Sequence, residues 1–332
     1  MLNNVKISFI VVSYNSQDTI RDCLDALISQ ITNTDEVIVY DNGSSDGTRE
    51  ILEEYGEELI VYHSQTNSGF SYACNWCAEK AIKASHLAFI NPDAIVQPNL
   101  VNRARETFGD LSIDLIGFAC KDHTQCPDRN FRRYPGVLCG LLTITDNIIC
   151  RFYANHISNF DLKKYYLDGS CMFVSRKMFI SANKFHNLFM YGEDVMLCDI
   201  LNRNKIKAAY FNDIFYLHFR GGSSNTNLGT RSWSMLPNML YSELYYLRSR
   251  RLIYKIVYLI FKFFEMLILF SLYKVFNSKN KEKNLFFKKR LKLLCQFALS
   301  FLLKGSNFSK SEFHTFDEDN NIKLSSDANT AS

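Results

Sequence analysis

A chain of 332 residues that is 47% hydrophobic and 14% aromatic can bury a sizeable core, which excludes a disordered or fibrous protein and fits one large domain with an appendage. Its 38 Lys and Arg against 34 Asp and Glu leave a formal charge of only +4, without nucleic-acid signatures among the basic residues, so no nucleic acid partner is expected. The ten cysteines are scattered and no secretory signal precedes the first apolar segment, so a reducing, cytoplasmic setting is expected.

Ile7 to Val12 is a continuous apolar, β-branched run, the pattern of a strand buried on both faces. Asp18 to Ile31 then repeats apolar residues at helical spacing through Ile20, Leu24, Leu27 and Ile31. The cycle recurs with strand Glu36 to Tyr40, helix Thr48 to Tyr55, strand Leu59 to His63, helix Tyr72 to Ala84 and strand Leu87 to Ile90. Such alternation predicts an α/β fold, a mostly parallel sheet covered by helices on both faces. Cys74-Asn-Trp-Cys77 falls within a predicted helix and has no second pair or suitably spaced histidines, so its thiols read as packing residues rather than metal ligands. From about Arg248 to Lys304 long apolar and basic stretches take over, and the last residues are polar and acidic. The expected divisions are a first domain over 1–245, a helical region over 246–305 and a flexible tail over 306–332.

Ligands of such sheets bind beyond the carboxyl ends of the strands. There this sequence places Ser13-Tyr-Asn-Ser16, Asp41-Asn-Gly-Ser-Ser-Asp-Gly47, Asn67-Ser-Gly69 and Asn91-Pro-Asp93. Turn formation accounts for any one of them, but four at the same edge point to a shared ligand. Asp41 can accept the imide N–H of a pyrimidine, with Ser13 and Asn15 lining the neighbouring loop, or it can cap the following helix. Asp93 offers the hard oxygen that Mg²⁺ or Mn²⁺ prefers, donor phosphates completing the shell. His218 can supply a second ligand or a donor to phosphate, or be structural. Glu193-Asp194 opens a helical pattern after the aromatic run Phe189-Met-Tyr191, where a carboxylate can take a proton from an attacking hydroxyl or simply complement the helix dipole. A dinucleotide oxidoreductase, a rival with similar βα alternation, is disfavoured because no G-x-G-x-x-G turn follows the first strand.

Taken in order, Val12-Ser-Tyr-Asn-Ser16, Asp41-Asn-Gly-Ser-Ser-Asp-Gly-Thr48, Asn67-Ser-Gly-Phe70 with Asn75, Asn91-Pro-Asp-Ala94, Gly169-Ser-Cys-Met-Phe173, Tyr191-Gly-Glu-Asp-Val195 and His218 resemble the family 2 glycosyltransferases of GT-A type, and within them the bacterial rhamnosyltransferase-like branch. The likeness covers roughly Ile7 to Ser224. It implies an inverting transferase that uses Mg²⁺ or Mn²⁺ to move a sugar from a nucleotide-diphosphate donor to a polyprenyl diphosphate-linked saccharide. L-Rhamnose from dTDP-L-rhamnose is the expected donor sugar, and O-antigen type surface polysaccharide the product, with a UDP-hexose donor or a catalytically weak membrane-bound scaffold of the same fold as the alternatives. Asp41 would then read the nucleobase, with Ser13, Asn15, Asn67, Gly69 and Asn91 on the donor. Asn91-Pro-Asp93 stands where the family has its metal-binding Asp-x-Asp turn, with His218 beside it. Asp194 would be the general base, and Gly169, Ser170 and Glu193 would line the acceptor side.

Three positions depart from the pattern: Asn91 replaces the first Asp of the metal turn, Met196 stands where the branch carries another Asp, and Ala182-Asn-Lys-Phe-His186 lacks Gly-Phe-Asp. The Gln-x-x-Arg-Trp motif of processive members is missing, which favours transfer of a single sugar.

Lys255, Lys262, Glu265 and Lys274 interrupt the apolar run Ile253 to Phe276, so no uncharged stretch reaches the ~20 residues that span a bilayer. Arg248, Arg251, Lys255, Lys262 and Glu265 fall on one side of a helical wheel and leave a wide apolar face, as in a helix lying at a membrane interface. Lys288 to Lys292 followed by Leu293 to Leu303 repeats the pattern, and such basic residues attract anionic lipid head groups. The expected place is the cytoplasmic face of the inner membrane, peripherally bound, with packing of these helices on the first domain as the alternative.

Overall fold

The computed structural model describes residues 5–110, 112–137, 160–219, 239–276 and 295. Two compact units result, one of Met1–Tyr134 with Ile144–Asn225 and one of Pro135–Thr143 with Thr226–Ser332.

The first unit runs β1 (Ile7–Ser13), α1 (Ile20–Ile28), β2 (Glu36–Asp41), α2 (Thr48–Glu53), a 3-10 turn (Gly56–Glu58), β3 (Ile60–His63), α3 (Phe70–Lys80), β4 (His86–Ile90), β5 (Ala94–Val96), α4 (Leu100–Phe108) and β6 (Ile113–Lys121). Short strands β7 (Pro127–Asp128), β8 (Phe131–Arg133) and β9 (Tyr165–Leu167) follow, then β10 (Cys171–Ser175), α5 (Arg176–Ser181), α6 (Glu193–Arg203) and β11 (Lys207–His218). The main sheet has the order β3-β2-β1-β4-β10-β6-β11-β5, with β7 on β6, while β8 and β9 form a separate ribbon.

Every residue of β1 is buried, as its unbroken apolar run requires. Phe9 and Val11 join the core under α1, α2 and α4, whereas Ile10 and Val12 point into the core under α3, α5 and α6. Cys74 and Cys77 lie buried in the second of these cores, as packing thiols.

The parallel arrangement expected of the sheet holds for β3, β2, β1 and β4. Beyond β4 the sheet is mixed, because β10 runs antiparallel to both β4 and β6, and β5 antiparallel to β11. This reversal matters for the site. Cys171 pairs with Ile90, so the start of β10 lies beside the carboxyl end of β4 and brings Gly169-Ser170 to the loop edge. His218 pairs with Ala94 and ends β11 at the same edge.

In the second unit, helical residues 239–246 and a 3-10 turn (Leu247–Ser249) precede α7 (Leu252–Phe276). The charged side of α7 is turned inward: Lys255 Nζ donates to the Arg248 carbonyl at 3.1 Å, Lys262 Nζ to Glu243 at 3.4 Å, and Tyr258 bonds Glu243. Ile253, Ile260, Phe264 and Ile268 are left exposed, Ile253 by 63%. Among the described residues no helix is long and apolar enough to cross a membrane. The basic and apolar stretch Lys288 to Leu303, Cys295 apart, and the tail 306–332 lie outside the described residues.

Candidate active site

The first two loops are laced together. Ser13 is buried at the end of β1, its carbonyl accepting the Asn42 N–H at 2.8 Å. Asn15, at φ 48°, donates its amide to Ser44 Oγ at 2.9 Å and accepts the Ser45 N–H on Oδ1 at 2.8 Å. Ser16 N–H meets Thr48 Oγ1, and Gln17 Oε1 accepts the Gly47 N–H, both at 2.8 Å.

Asp41 ends β2 with a fully buried carboxylate. Arg49 Nε donates to its Oδ2 at 2.6 Å, His63 Nδ1 stands 3.3 Å from the same oxygen, and the Ser44 N–H reaches Oδ1 at 3.1 Å. Burial alone would raise its proton affinity, but the bonds from Ser44, Arg49 and His63 outweigh it and hold the carboxyl below the usual range. Arg49 and His63 were not anticipated from the sequence. His63 closes the predicted strand Leu59 to His63, but that it is the register partner of Asp41 on the adjacent strand is seen only in the fold.

Asn67 Oδ1 accepts from Asn42 Nδ2 at 2.9 Å and from the Gly69 N–H at 3.0 Å, so it fixes the loop that begins α3. Gly69 has φ 90° and lies so close to the segment before α6 that a Cβ would fall 2.5 Å from the Phe189 carbonyl oxygen. The Phe70 N–H donates to that same oxygen at 2.8 Å. The donor-side loop and the loop that introduces Asp194 are thereby fastened to each other.

Asn91 follows β4, its N–H donating to the Ser170 carbonyl at 2.9 Å. Asp93 Oδ1 lies 3.1 Å from His218 Nε2, which is 3.5 Å from Asn91 Nδ2, and both Asp93 and His218 are buried. Residues 127 and 125 positions apart from His218 thus meet at one place. His218 Nδ1 is buried without a partner. Among the described residues no group of three or more His, Cys, Asp and Glu could hold a metal. Asp93 Oδ1 and His218 Nε2, which face each other, are the kinds of atom that fit a divalent cation with one or two protein ligands and substrate phosphates completing its shell. The Gly-rich continuation after Phe219 lies outside the described residues.

Tyr191 at φ 68° and Gly192 at φ 89° turn the chain through left-handed backbone to open α6. Asp194 Oδ2 accepts the Gly169 N–H at 3.3 Å and Oδ1 the Val195 N–H at 2.7 Å. Burial, then the charge of Asp168, push the Asp194 carboxyl up to about 7, against the opposing pull of Arg132. Glu193 is buried with Oε2 unpartnered, and burial together with the Asp194 and Asp168 carboxylates pushes it well above the usual range. Ser170 Oγ pairs with Tyr216 Oη at 2.7 Å, which ties the start of β10 to β11. Asp168 and Arg132 were missed in the sequence. Asp168 directly precedes the recognised Gly169-Ser170, whereas nothing local distinguishes Arg132.

The mixed sheet β3-β2-β1-β4-β10-β6-β11-β5, covered by helices on both faces, is an α/β fold of GT-A type. A mannosyltransferase from Pyrobaculum calidifontis, solved with GDP-Man and Mn²⁺, aligns with 93% of this chain and 84% of its own at a TM-score of 0.54 and 14% identity. The structure of GalNAc-T7 with UDP, GalNAc and Mn²⁺ aligns with 92% of this chain and 58% of its own, also at 0.54, with 13% identity. Likeness at such identities concerns the fold alone. The profile of Glycosyl transferase family 2 matches residues 8–182, more than half of the 332, and the chain belongs to that family. The uncharacterized glycosyltransferase EpsJ of Bacillus subtilis is 31% identical over 126 residues, 37% of this chain and 36% of its own. The poly(ribitol-phosphate) beta-glucosyltransferase of Bacillus spizizenii is 30% identical over 118 residues, 33% of this chain and 19% of its own. The chain thus spans about a third or less of the length of these curated relatives.

Proposed function

We propose that this chain is an inverting glycosyltransferase that takes a sugar from a nucleotide-diphosphate donor, with Asp194 as the general base. The observation that carries the reading is the Asp194 carboxyl, suspended from the Gly169 N–H at 3.3 Å and protonating at about 7. A base with that affinity is matched to neutral pH, where about half of it is ionised and able to take a proton. The oxygen of an acceptor hydroxyl bonds to the anomeric carbon from the face opposite the diphosphate. Its proton passes to Asp194, and the bond from carbon to the phosphate oxygen breaks with its electron pair leaving on the diphosphate. Asp41, kept ionised by Arg49 and His63, is the carboxylate for the N–H of a base, which would take the place of one of its present donors. Asp93 and His218 would hold Mg²⁺ or Mn²⁺, which when bound neutralises charge on the leaving diphosphate. Holding both substrates along this edge removes much of the entropic barrier.

The finer reading is dTDP-L-rhamnose as donor and a polyprenyl diphosphate-linked saccharide as acceptor, in O-antigen type synthesis at the cytoplasmic face of the inner membrane. Its donor part rests on the resemblance of Asn91-Pro-Asp93 and Tyr191-Gly-Glu-Asp194 to the rhamnosyltransferase branch. The membrane part rests on α7, whose charges pair inward while Ile253, Ile260, Phe264 and Ile268 face outward.

The test is Asp194→Asn, expected to lower turnover by about 10²–10⁴-fold while leaving donor protection against thermal unfolding intact. Unchanged turnover removes Asp194 from the mechanism. In a panel of nucleotide sugars with Mn²⁺, protection by UDP-hexoses but not by dTDP-rhamnose overturns the donor assignment. Sedimentation with anionic vesicles that survives Ile253→Ser, Ile260→Ser and Phe264→Ser together overturns the membrane face.

A further inference from the structure

Strands β8 and β9 stand apart from the main sheet, and their register sets Arg132 opposite Tyr166. The ribbon is prolonged by one bond, from the Asp168 N–H to the Asn130 carbonyl at 2.7 Å, so Asp168 leaves β9 at a fixed height relative to β8. Its two carboxylate oxygens then face different ways. Oδ2 takes Arg132 Nη2 at 3.2 Å, and Oδ1 accepts the Ser170 N–H at 3.2 Å, closing the turn over Gly169. The Gly169 N–H donates to Asp194 Oδ2. A chain of contacts therefore runs from Arg132 through Asp168 and the Gly169 amide to Asp194. The far side of this turn is anchored as well, because Phe131 is fully buried and Ser170 is held by Tyr216.

From this geometry we infer that Arg132 and Asp168 are a positioning pair for the base: Asp168 shapes the turn that holds Asp194, and Arg132 offsets the negative charge this places beside it. The inference rests on Asp194 being the base. The two charges act on Asp194 with opposite signs, Asp168 favouring the protonated form and Arg132 the ionised one. Among the described residues, other titratable groups that interact with them are Glu193 and Cys198 on α6, Tyr166 on β9 and Tyr216 on β11. None of these four supplies a positive charge, so Arg132 is the group able to relieve the acidic cluster.

The pair is tested by following the Asp194 carboxyl carbon in the full chain, labelled with ¹³C-aspartate and identified by the resonance lost in Asp194→Asn. Arg132→Gln should move its titration midpoint upward by about one pH unit, Asp168→Asn should move it downward by a similar amount, and Arg132→Lys should return it close to the starting value. Asn at 168 keeps an oxygen for the Ser170 N–H, so the turn persists. Midpoints that stay fixed, or that move the same way in both variants, overturn the pair. Turnover of Asp194→Asn decides the base separately. If that variant is inactive while the midpoints fail to diverge, the inference falls and the base assignment stands; if it is active, the base assignment falls whatever the midpoints do.

Discussion

Gly69→Ala is the sharpest test of how the loop before α3 and the segment before α6 are joined. Gly69 sits at φ 90° and ψ 159°, a region that residues with a Cβ essentially do not enter, and forcing one there costs on the order of 1–3 kcal/mol. The added carbon would also meet Phe189, 2.5 Å from its carbonyl oxygen and 2.9 Å from its Cα, both backbone atoms that no rotamer change can move. Relieving the overlap means displacing Phe189 and weakening the 2.8 Å bond its carbonyl accepts from the Phe70 N–H, worth about 0.5–1.5 kcal/mol, with a further 1–3 kcal/mol for overpacking. Alanine stiffens the unfolded chain and returns about 0.4–1 kcal/mol. The net expectation is a destabilisation of about 1.5–7 kcal/mol, centred near 4.

Gly56→Ala is the matched control. Gly56 is also left-handed, at φ 52°, but a Cβ there meets nothing within 4 Å, so the expected cost is only about 1 kcal/mol. Urea unfolding followed by far-ultraviolet circular dichroism measures both, provided the slope with denaturant is unchanged. A Gly69→Ala variant no less stable than Gly56→Ala would show that the loops are not pressed together, and would undo the coupling argued for the donor and base sides.

Asp194 carries a stability cost that depends on pH. Its folded carboxyl protonates at about 7, far above the ordinary carboxylate value, so between those limits the folded state holds a proton the unfolded state has lost. Raising the pH through 7 strips that proton and weakens the fold, so Asp194→Asn should gain stability relative to the parent between pH 5 and 8, read from paired thermal melts. Asp41 has the opposite sign: its lowered affinity stabilises the fold above the unfolded value and is lost on acidification. Arg49→Met should cost about 1–3 kcal/mol, since Arg49 is itself 35% exposed, and should move acid unfolding to higher pH. Asp93→Asn or His218→Ala should abolish the extra thermal protection that Mn²⁺ adds to a bound nucleotide sugar, about 2.7 kcal/mol for ligand at a hundredfold excess over its dissociation constant. Retention of that increment in both variants would remove the metal assignment.

The parallel half of the sheet was legible in the sequence because β1, β2 and β4 are buried on both faces and leave unbroken apolar runs. The antiparallel insertion of β10 was not, because nothing local to Cys171–Ser175 says that its neighbours will be β4 and β6, each more than fifty residues away. The same limit governs the site. Asp41, Asp93 and Asp194 announce themselves through turn and helix-start contexts, which are short-range patterns. Arg132 and Asp168 act through a ribbon pairing 36 positions apart, and the Asp93–His218 contact spans 125. Pairwise electrostatics across strands requires the register, which composition and periodicity do not carry.

Where local rules fail is itself informative. Buried polar groups are almost always hydrogen-bonded, and an unpaired one costs about 1–3 kcal/mol. Ser13 Oγ at the end of β1, His218 Nδ1 at the end of β11 and Glu193 Oε2 at the start of α6 all lack partners. The segment before Glu193 adds Tyr191, a residue with a Cβ held at positive φ. A sequence selected only for stability would remove each of these at little cost, Ser13 to Ala for instance. Ser71 Oγ and Arg176 Nε lack partners too, so such groups are not confined to this edge, but the three that lie where the loops meet are ones that folding alone gives no reason to keep.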